Sequence, residues 1–187
     1  MILERIEDYN LVIQGLEDCT AHNPGILLES IREEFPRLDI QLFRADHIAE
    51  KEHLTFAAIG AVRAFHQHQE RSRTLAVELL LYSSCQRQIT KAIQRLGVSP
   101  QTREIVLAAF ASEDNADRLA QLVARKLKAN QNDDVIRVLT KKKQVELMNT
   151  YDITEREIQS ARLTGETDNS ALQRIIIERG ALLAVEK

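Results

Sequence analysis

The apolar positions of this chain follow two rhythms, one of two residues and one of three to four. Residues 10–16 (NLVIQGL) are apolar and β-branched, stop at acidic residues, and predict a first strand. His22-Asn23-Pro24-Gly25 reads as a turn. Beyond it Ile26, Leu27, Ile31 and Phe35 recur at helical spacing, and Pro36 closes the segment. Residues 39–45 alternate, with Ile40 and Leu42 on one side and Gln41 on the other, and predict a second strand. After a turn and short helix at 46–49, Leu54, Ala57, Ala58, Ala61, Val62 and Phe65 set out a long helix over 50–69. Residues 103–111 (REIVLAAFA) predict a strand buried on both faces, as a central strand is.

The chain is organised around residues 72–98. A dense apolar run, Leu79-Leu80-Leu81-Tyr82, passes through the small polar corner Ser83-Ser84-Cys85 into an amphipathic helix. On that helix Arg87, Lys91 and Arg95 recur every four residues and predict a basic stripe, with Arg71 and Arg73 near it. Ile89, Ala92, Ile93 and Leu96 gather on the opposite side, and Gly97 suits a left-handed helix cap. Ser84 is the expected cap at the helix entry.

The last third reads as helical. Asp114 is placed to cap a helix to about residue 128, with Leu119, Leu122, Val123 and Leu127 inward. The polar residues 129–134 are the best hinge in the chain. Residues 135–149 carry Val135, Ile136, Leu139 and Val145 among many lysines. Thr154-Glu155-Arg156-Glu157 is a capping box with Ile153 and Ile158 as its hydrophobic staple. Residues 170–173 offer a second box. The final helix carries Leu172, Ile175, Ile176, Leu182 and Leu183 at core spacing. Ile177 and Ala181 widen its apolar face, and Gly180 is a place where it could break.

A length of 187 residues fits one domain, with the helical part 134–187 packed on the rest. The expected class is α/β: a small mixed or antiparallel sheet of about four strands surrounded by helices. Cys19 and Cys85 are far apart, which favours a reducing, intracellular setting. No signal pattern opens the chain and no apolar run approaches membrane length, so a cytoplasmic protein without membrane contact is expected, the nucleus being open to a eukaryotic one. The net charge of -3 argues against coating nucleic acid broadly. It conceals an asymmetry: five Lys/Arg face twelve Asp/Glu over residues 1–62, but seven face three over residues 63–104. A local basic site of this kind suits a short nucleic-acid end; a solvated helix face is the plainer reading of the same spacing.

Catalytic signals are weak. His66 and His68 lie two apart on a helix and point in nearly opposite directions, so they do not share a metal ion. His53 reads as a helix-start or core histidine. Cys85 before a helix would have a dipole-stabilised thiolate, but no histidine is placed beside it by spacing. Six scattered glycines make no phosphate loop. Glu33-Glu34 and Glu155 with Glu157 read as surface and capping acids. No cofactor and no metal are expected.

Several segments together resemble a known family. The run E-L-L-L-Y-S-S-x-x-Q-I-x-x-A-I-x-x-L-G-V from Glu78 to Val98 resembles the smallest core subunit of the KEOPS complex, the PRPK-binding protein family. The segment E-K-E-H-L-x-x-A-A-I-x-A-V, which holds Glu52-His53-Leu54, is similar to it as well. So are Ile153-Thr154 with Glu157-Ile158, and Glu178-Arg179-Gly180-Ala181-Leu182-Leu183, where glycine stands in place of a larger apolar residue. The likeness runs from about Asp39 onward, and the first 38 residues match only in outline. It implies a non-catalytic accessory subunit that binds a kinase-like ATPase and, through it, a threonylcarbamoyl transferase, and that recruits tRNA by its 3′ CCA end for threonylcarbamoyladenosine formation. On that basis Arg71, Arg73, Gln86, Arg87, Lys91 and Arg95 are the expected tRNA contacts, and Ile177, Ala181, Leu182 and Leu183 the kinase contacts. The alternatives are a kinase-regulating interaction module that touches no RNA and, more distantly, a small-molecule enzyme built on Cys85.

Overall fold

The computed structural model describes residues 1–20 and 23–185. Strand β1 (Ile2–Ile6) turns at Glu7-Asp8 into β2 (Tyr9–Glu17), and α1 (Pro24–Glu34) leads to β3 (Asp39–Arg44). A 3-10 turn, Ala45–His47, then opens a three-helix excursion: α2 (Glu50–His66), α3 (Leu75–Ser84) and α4 (Ile89–Leu96). The chain returns as β4 (Ile105–Phe110), α5 (Glu113–Leu127) and the two-residue β5 (Asn130–Gln131). Short helices α6 (Asp134–Arg137), α7 (Lys141–Tyr151) and α8 (Glu155–Ala161) precede α9 (Asp168–Ala181), which runs into a 3-10 turn, Leu182–Ala184.

The sheet order is β1-β2-β4-β3, with β5 on β2, and every pairing is antiparallel. Side chains alternate across it with period two. In β4, Val106, Ala108 and Phe110 enter the core shared with α2, α3 and the C-terminal helices, while Ile105, Leu107 and Ala109 enter the core under α5. No residue of β4 reaches solvent appreciably, as its unbroken apolar run requires. Ile40 and Leu42 share the α5 side, and Phe43 takes the other.

Several expectations are corrected. Strand β1 was not legible, because Glu4 and Arg5 interrupt its apolar pattern; Ile2 and Ile6 are nonetheless in the core. His22 lies outside the described residues, but the rest of the expected turn starts a helix: Asn23 accepts the Ile26 amide at 3.3 Å and Pro24 occupies the first helical position. Ser112 holds the cap position of α5, and Asp114 sits inside its first turn. Residues 129–134 are no hinge. Asp133 accepts from the Gly15 amide at 3.1 Å and the Gln14 amide group at 2.9 Å, and Asn132 donates its amide to Gly15 at 2.9 Å. A Cβ at Gly15 would lie 2.2 Å from the Asn132 carbonyl oxygen, so this close approach needs glycine. The lysine-rich stretch 135–149 is two helices, parted at Val138-Leu139, and Val145 is exposed. Thr154 caps α8 as expected, accepting from Glu157 at 3.2 Å over a buried Ile153 and Ile158. The last helix is capped by Thr167 rather than Ser170, at 3.1 Å.

Candidate functional site

Helix α3 runs through the interior, and most of its polar groups find partners; Glu78 Oε1 and the Ser83 hydroxyl are buried without one among the described residues. Thr74 caps it by accepting the Val77 amide at 3.3 Å. Glu78, an acid with no exposed surface, turns back on the loop before the helix. One carboxyl oxygen accepts from the Arg71 amide at 3.0 Å, the Ser72 amide at 3.0 Å and the Ser72 hydroxyl at 2.8 Å. At the far end Cys85 adopts the left-handed conformation (φ 53°) and ends the helix. The last carbonyls, which a helix leaves without internal donors, each find a donor from another element. His53 Nε2 donates to the Ser83 carbonyl at 2.8 Å, with the Tyr151 hydroxyl 3.0 Å from the same oxygen, and Arg95 donates to the Ser84 carbonyl at 3.0 Å.

His53 is therefore a structural histidine. Its Nδ1 accepts the Ala49 amide at 3.2 Å, which fixes the neutral Nε2–H tautomer, and burial pushes its pKa down to about 4. Arg95 is held too: its guanidinium lies 5.5 Å from the centre of the Tyr151 ring and 3.6 Å from Asp152, and its own carbonyl accepts from His47 at 2.6 Å. The basic stripe divides for a geometric reason. A residue four positions on along a helix is rotated by about 40° beyond a full turn. Within α4 one such step carries Arg95 about 40° from Lys91 toward the buried arc formed by Ala92 and Leu96. Lys91 remains exposed on α4, and Arg87 is exposed just before its first turn. On the other side of that arc Ile89 and Ile93, expected to be covered, are 44% and 52% exposed. The cap position of α4 is Gln88, since Ser84 belongs to the end of α3. Gly97 does not form a left-handed cap; it is extended (φ -69°, ψ 147°) and bridges to Phe43 on β3.

A second surface lies where α9 crosses α2. Antiparallel to α3, α9 brings Gly180 against the Tyr82 carbonyl, where a Cβ would stand 2.9 Å away. The Tyr82 ring in turn covers Gly60 of α2, whose Cβ would lie 2.6 Å from ring carbons. Above this contact runs a groove of about 410 Å³, with Phe56, Gly60 and Ala64 on one wall, Ile177 and Ala181 on the other, and Tyr82 on the floor. Phe56 is 53% exposed, and Val185 continues the apolar lining at 74%.

The family model for kinase binding protein CGI-121 matches residues 20–183. The chain belongs to the CGI-121 kinase-binding protein family. A search of curated proteins returned no match. The match spans α1 to the turn after α9, so the CGI-121 region contains α4 and all of the groove but its end at Ala184 and Val185.

Within this CGI-121 fold the expected contact residues are distributed as follows. Arg87 and Lys91 are exposed on and before α4, Gln86 is half-buried beside them, and Arg95 is turned inward. Arg73 is exposed at the other end of α3. Arg71, next to it, donates to the Leu183 carbonyl at 2.6 Å and so clasps the turn after α9. Ile177 and Ala181 line the groove, Leu182 is exposed but is not part of its lining, and the Leu183 side chain is in the core at 5% exposure. The Cys85 thiol points to the Ile176 carbonyl at 3.5 Å, and burial pushes its pKa up to about 12, the reverse of an activated nucleophile. His66 pairs with Glu7 at 2.9 Å; among the described residues, no group of three or more His, Cys, Asp or Glu is placed to hold a metal. No helix among the described residues is long and apolar enough to cross a membrane. The sequence reading missed Glu78 and the α2 wall of the groove. A lone acid inside LAVELLLY was the visible signal for the first, and Phe56 on an otherwise small-residue helix for the second.

Proposed function

We propose that this chain is a kinase-binding accessory subunit that docks a kinase-like ATPase in the groove between α2 and α9. The observation that carries the reading is the apolar groove itself in a member of the CGI-121 family. It is lined mainly by apolar side chains over a floor fixed by Tyr82, with Arg63, Gln67 and Gln69 as polar members, and Phe56, Ala181 and Val185 are exposed rather than covered by the chain's own elements. A partner helix or strand with an apolar side chain at its centre would fill it and desolvate Phe56, Ile177 and Ala181 together, the arrangement in which a few residues dominate affinity. Its place in a KEOPS-type assembly, with the threonylcarbamoyl transferase reached through the ATPase, follows from the same family reading.

The second part of the proposal is recruitment of the tRNA 3′ CCA end at α4. Lys91 and Arg87 would meet phosphates while the exposed aliphatic faces of Ile89 and Ile93 lie beside them for unpaired bases. Arg95 would act from behind, by holding the last turn of α4 to the end of α3. Two arms test the reading. Ile177→Asp should abolish co-purification with the kinase-like subunit while the thermal midpoint stays within a degree or two; retained co-purification would remove the groove from the interface. Binding of tRNA should fall on removal of its CCA end and again in Lys91→Glu. Equal binding in all three cases would leave an interaction module that regulates a kinase and carries no RNA.

A further inference from the structure

A cleft where β3 ends and β4 begins is used by none of this. It measures about 710 Å³ and shares no lining residue with the α2–α9 groove. Arg44 and Glu104, at the ends of β3 and β4, form one side, and Thr140, Lys142, Lys143 and Glu146, at the start of α7, form the other. The first turn of α7 is Lys141-Lys142-Lys143, behind a Thr140 cap that accepts the Lys143 amide at 3.2 Å. Three cations at the positive end of a helix dipole are disfavoured electrostatically. Lys141 and Lys142 relieve this by extending into solvent; Lys143 does not, and only 7% of it is accessible.

The surroundings of the Lys143 amine are unusual for a buried lysine. Its Nζ donates to one acceptor, the Val135 carbonyl at 2.7 Å, and among the described residues no carboxylate lies within ion-pair reach. The acids that face it are Asp46, Glu50 and Glu104, with Glu146 further along the cleft wall. Asp46 is engaged by Arg44 at 2.8 and 2.6 Å. A buried ammonium with one acceptor for three protons is costly, and the neutral amine is the form such a site favours. Burial accordingly brings the Lys143 pKa down to about 8, against the opposing pull of Glu104, Glu50 and Asp46. An ordinary lysine is about one part in a thousand neutral at pH 7.4, and one that titrates near 8 is about one part in five. Amine with a free lone pair, held by one carbonyl at the wall of a polar cleft, is the arrangement of a nucleophile.

We propose that Lys143 is an acyl-acceptor site, at which Nζ takes an acyl group from a small acyl phosphate that enters the cleft. The nitrogen lone pair attacks the acyl carbon and a C–N bond forms. The C–O bond to phosphate breaks, phosphate leaves with that electron pair, and the displaced proton passes to water in the cleft. The product amide keeps one N–H for the Val135 carbonyl and removes the buried charge. Acylation here therefore relieves a strain that acylation of an exposed lysine would not.

Treatment of the full chain with acetyl phosphate, followed by site-resolved mass spectrometry, tests this with Lys141 and Lys142 as controls on the same helical turn. Lys143 should be acetylated about tenfold faster than either neighbour at pH 7.4, and its rate should level off above about pH 8, where the neighbours' rates continue to climb. In denaturant the three rates should converge. A native Lys143 rate equal to or below that of Lys141 and Lys142 overturns the proposal and leaves the residue as a clasp between α6 and α7. Acetylation at Lys143 should also leave the thermal midpoint unchanged or raised; a fall of several degrees would overturn it as well.

Discussion

The corner between α3 and α4 and the groove between α2 and α9 lie on two sides of the same helix, and they treat their exposed atoms in opposite ways. At the corner polar groups are drawn inward: Arg95, Tyr151 and His53 all serve the last carbonyls of α3. At the groove apolar groups are left outside, with Phe56 and Val185 each more than half exposed. The difference separates residues that hold the fold from residues left available to a partner. Periodicity alone does not make that separation, because an arginine beside a helix end and an arginine on a binding face have the same spacing.

Substitutions sharpen the contrast. The largest effect on stability is expected at Glu78. Alanine there leaves two amides and a hydroxyl without their acceptor, at a cost of about 3 kcal/mol or more by denaturant unfolding. Glu78→Gln, which keeps an acceptor oxygen, should lose less than half of that. A comparable loss is expected from pH. His53 binds its proton less tightly in the folded chain (about 4) than an unfolded histidine does (about 6.5). Stability is thus full above about pH 6.5 and declines as pH falls toward 4, by up to about 3 kcal/mol, and a His53→Gln variant should be flatter over that window. At the groove the sign reverses: Ile177→Asp should weaken kinase association by about 30-fold or more while unfolding is unaltered. The smallest effect belongs to α4. Lys91→Glu should lower tRNA affinity by about three- to tenfold and reduce its salt dependence by the equivalent of about one phosphate contact, with no change in melting. Arg95→Ala should fail that last criterion by melting earlier; if it melts normally, the contrast between the two regions is lost.

What was legible follows from how each element is stabilised. Strand β4 is apolar on both faces and needs no context, and α5 shows its inward leucines at an unambiguous spacing. Thr154 announces its cap because the acceptor and the amide it serves are three residues apart. Elements fixed by distant partners were hidden. Strand β1 exists because β2 offers it a register from Ile2↔Ile13 to Ile6↔Tyr9, and residues 130–133 are ordered because Gly15 admits them. The tilt that takes Arg95 inward is a matter of 40° per step, invisible to a pattern that counts every fourth residue as aligned. The groove belongs to the same class. Ile177 and Ala181 were visible as an excess of apolar surface on one helix, but the opposite wall required knowing that α2 lies against it.

One residue sets the spacing of three helices. The Tyr82 ring lies on Gly60 and so spaces α2 from α3, while Gly180 lets α9 come against the Tyr82 backbone carbonyl, and any side chain at either glycine would wedge the helices apart. If the groove is the kinase contact proposed above, its shape is set by these contacts before a partner arrives, and association would spend little on rearrangement.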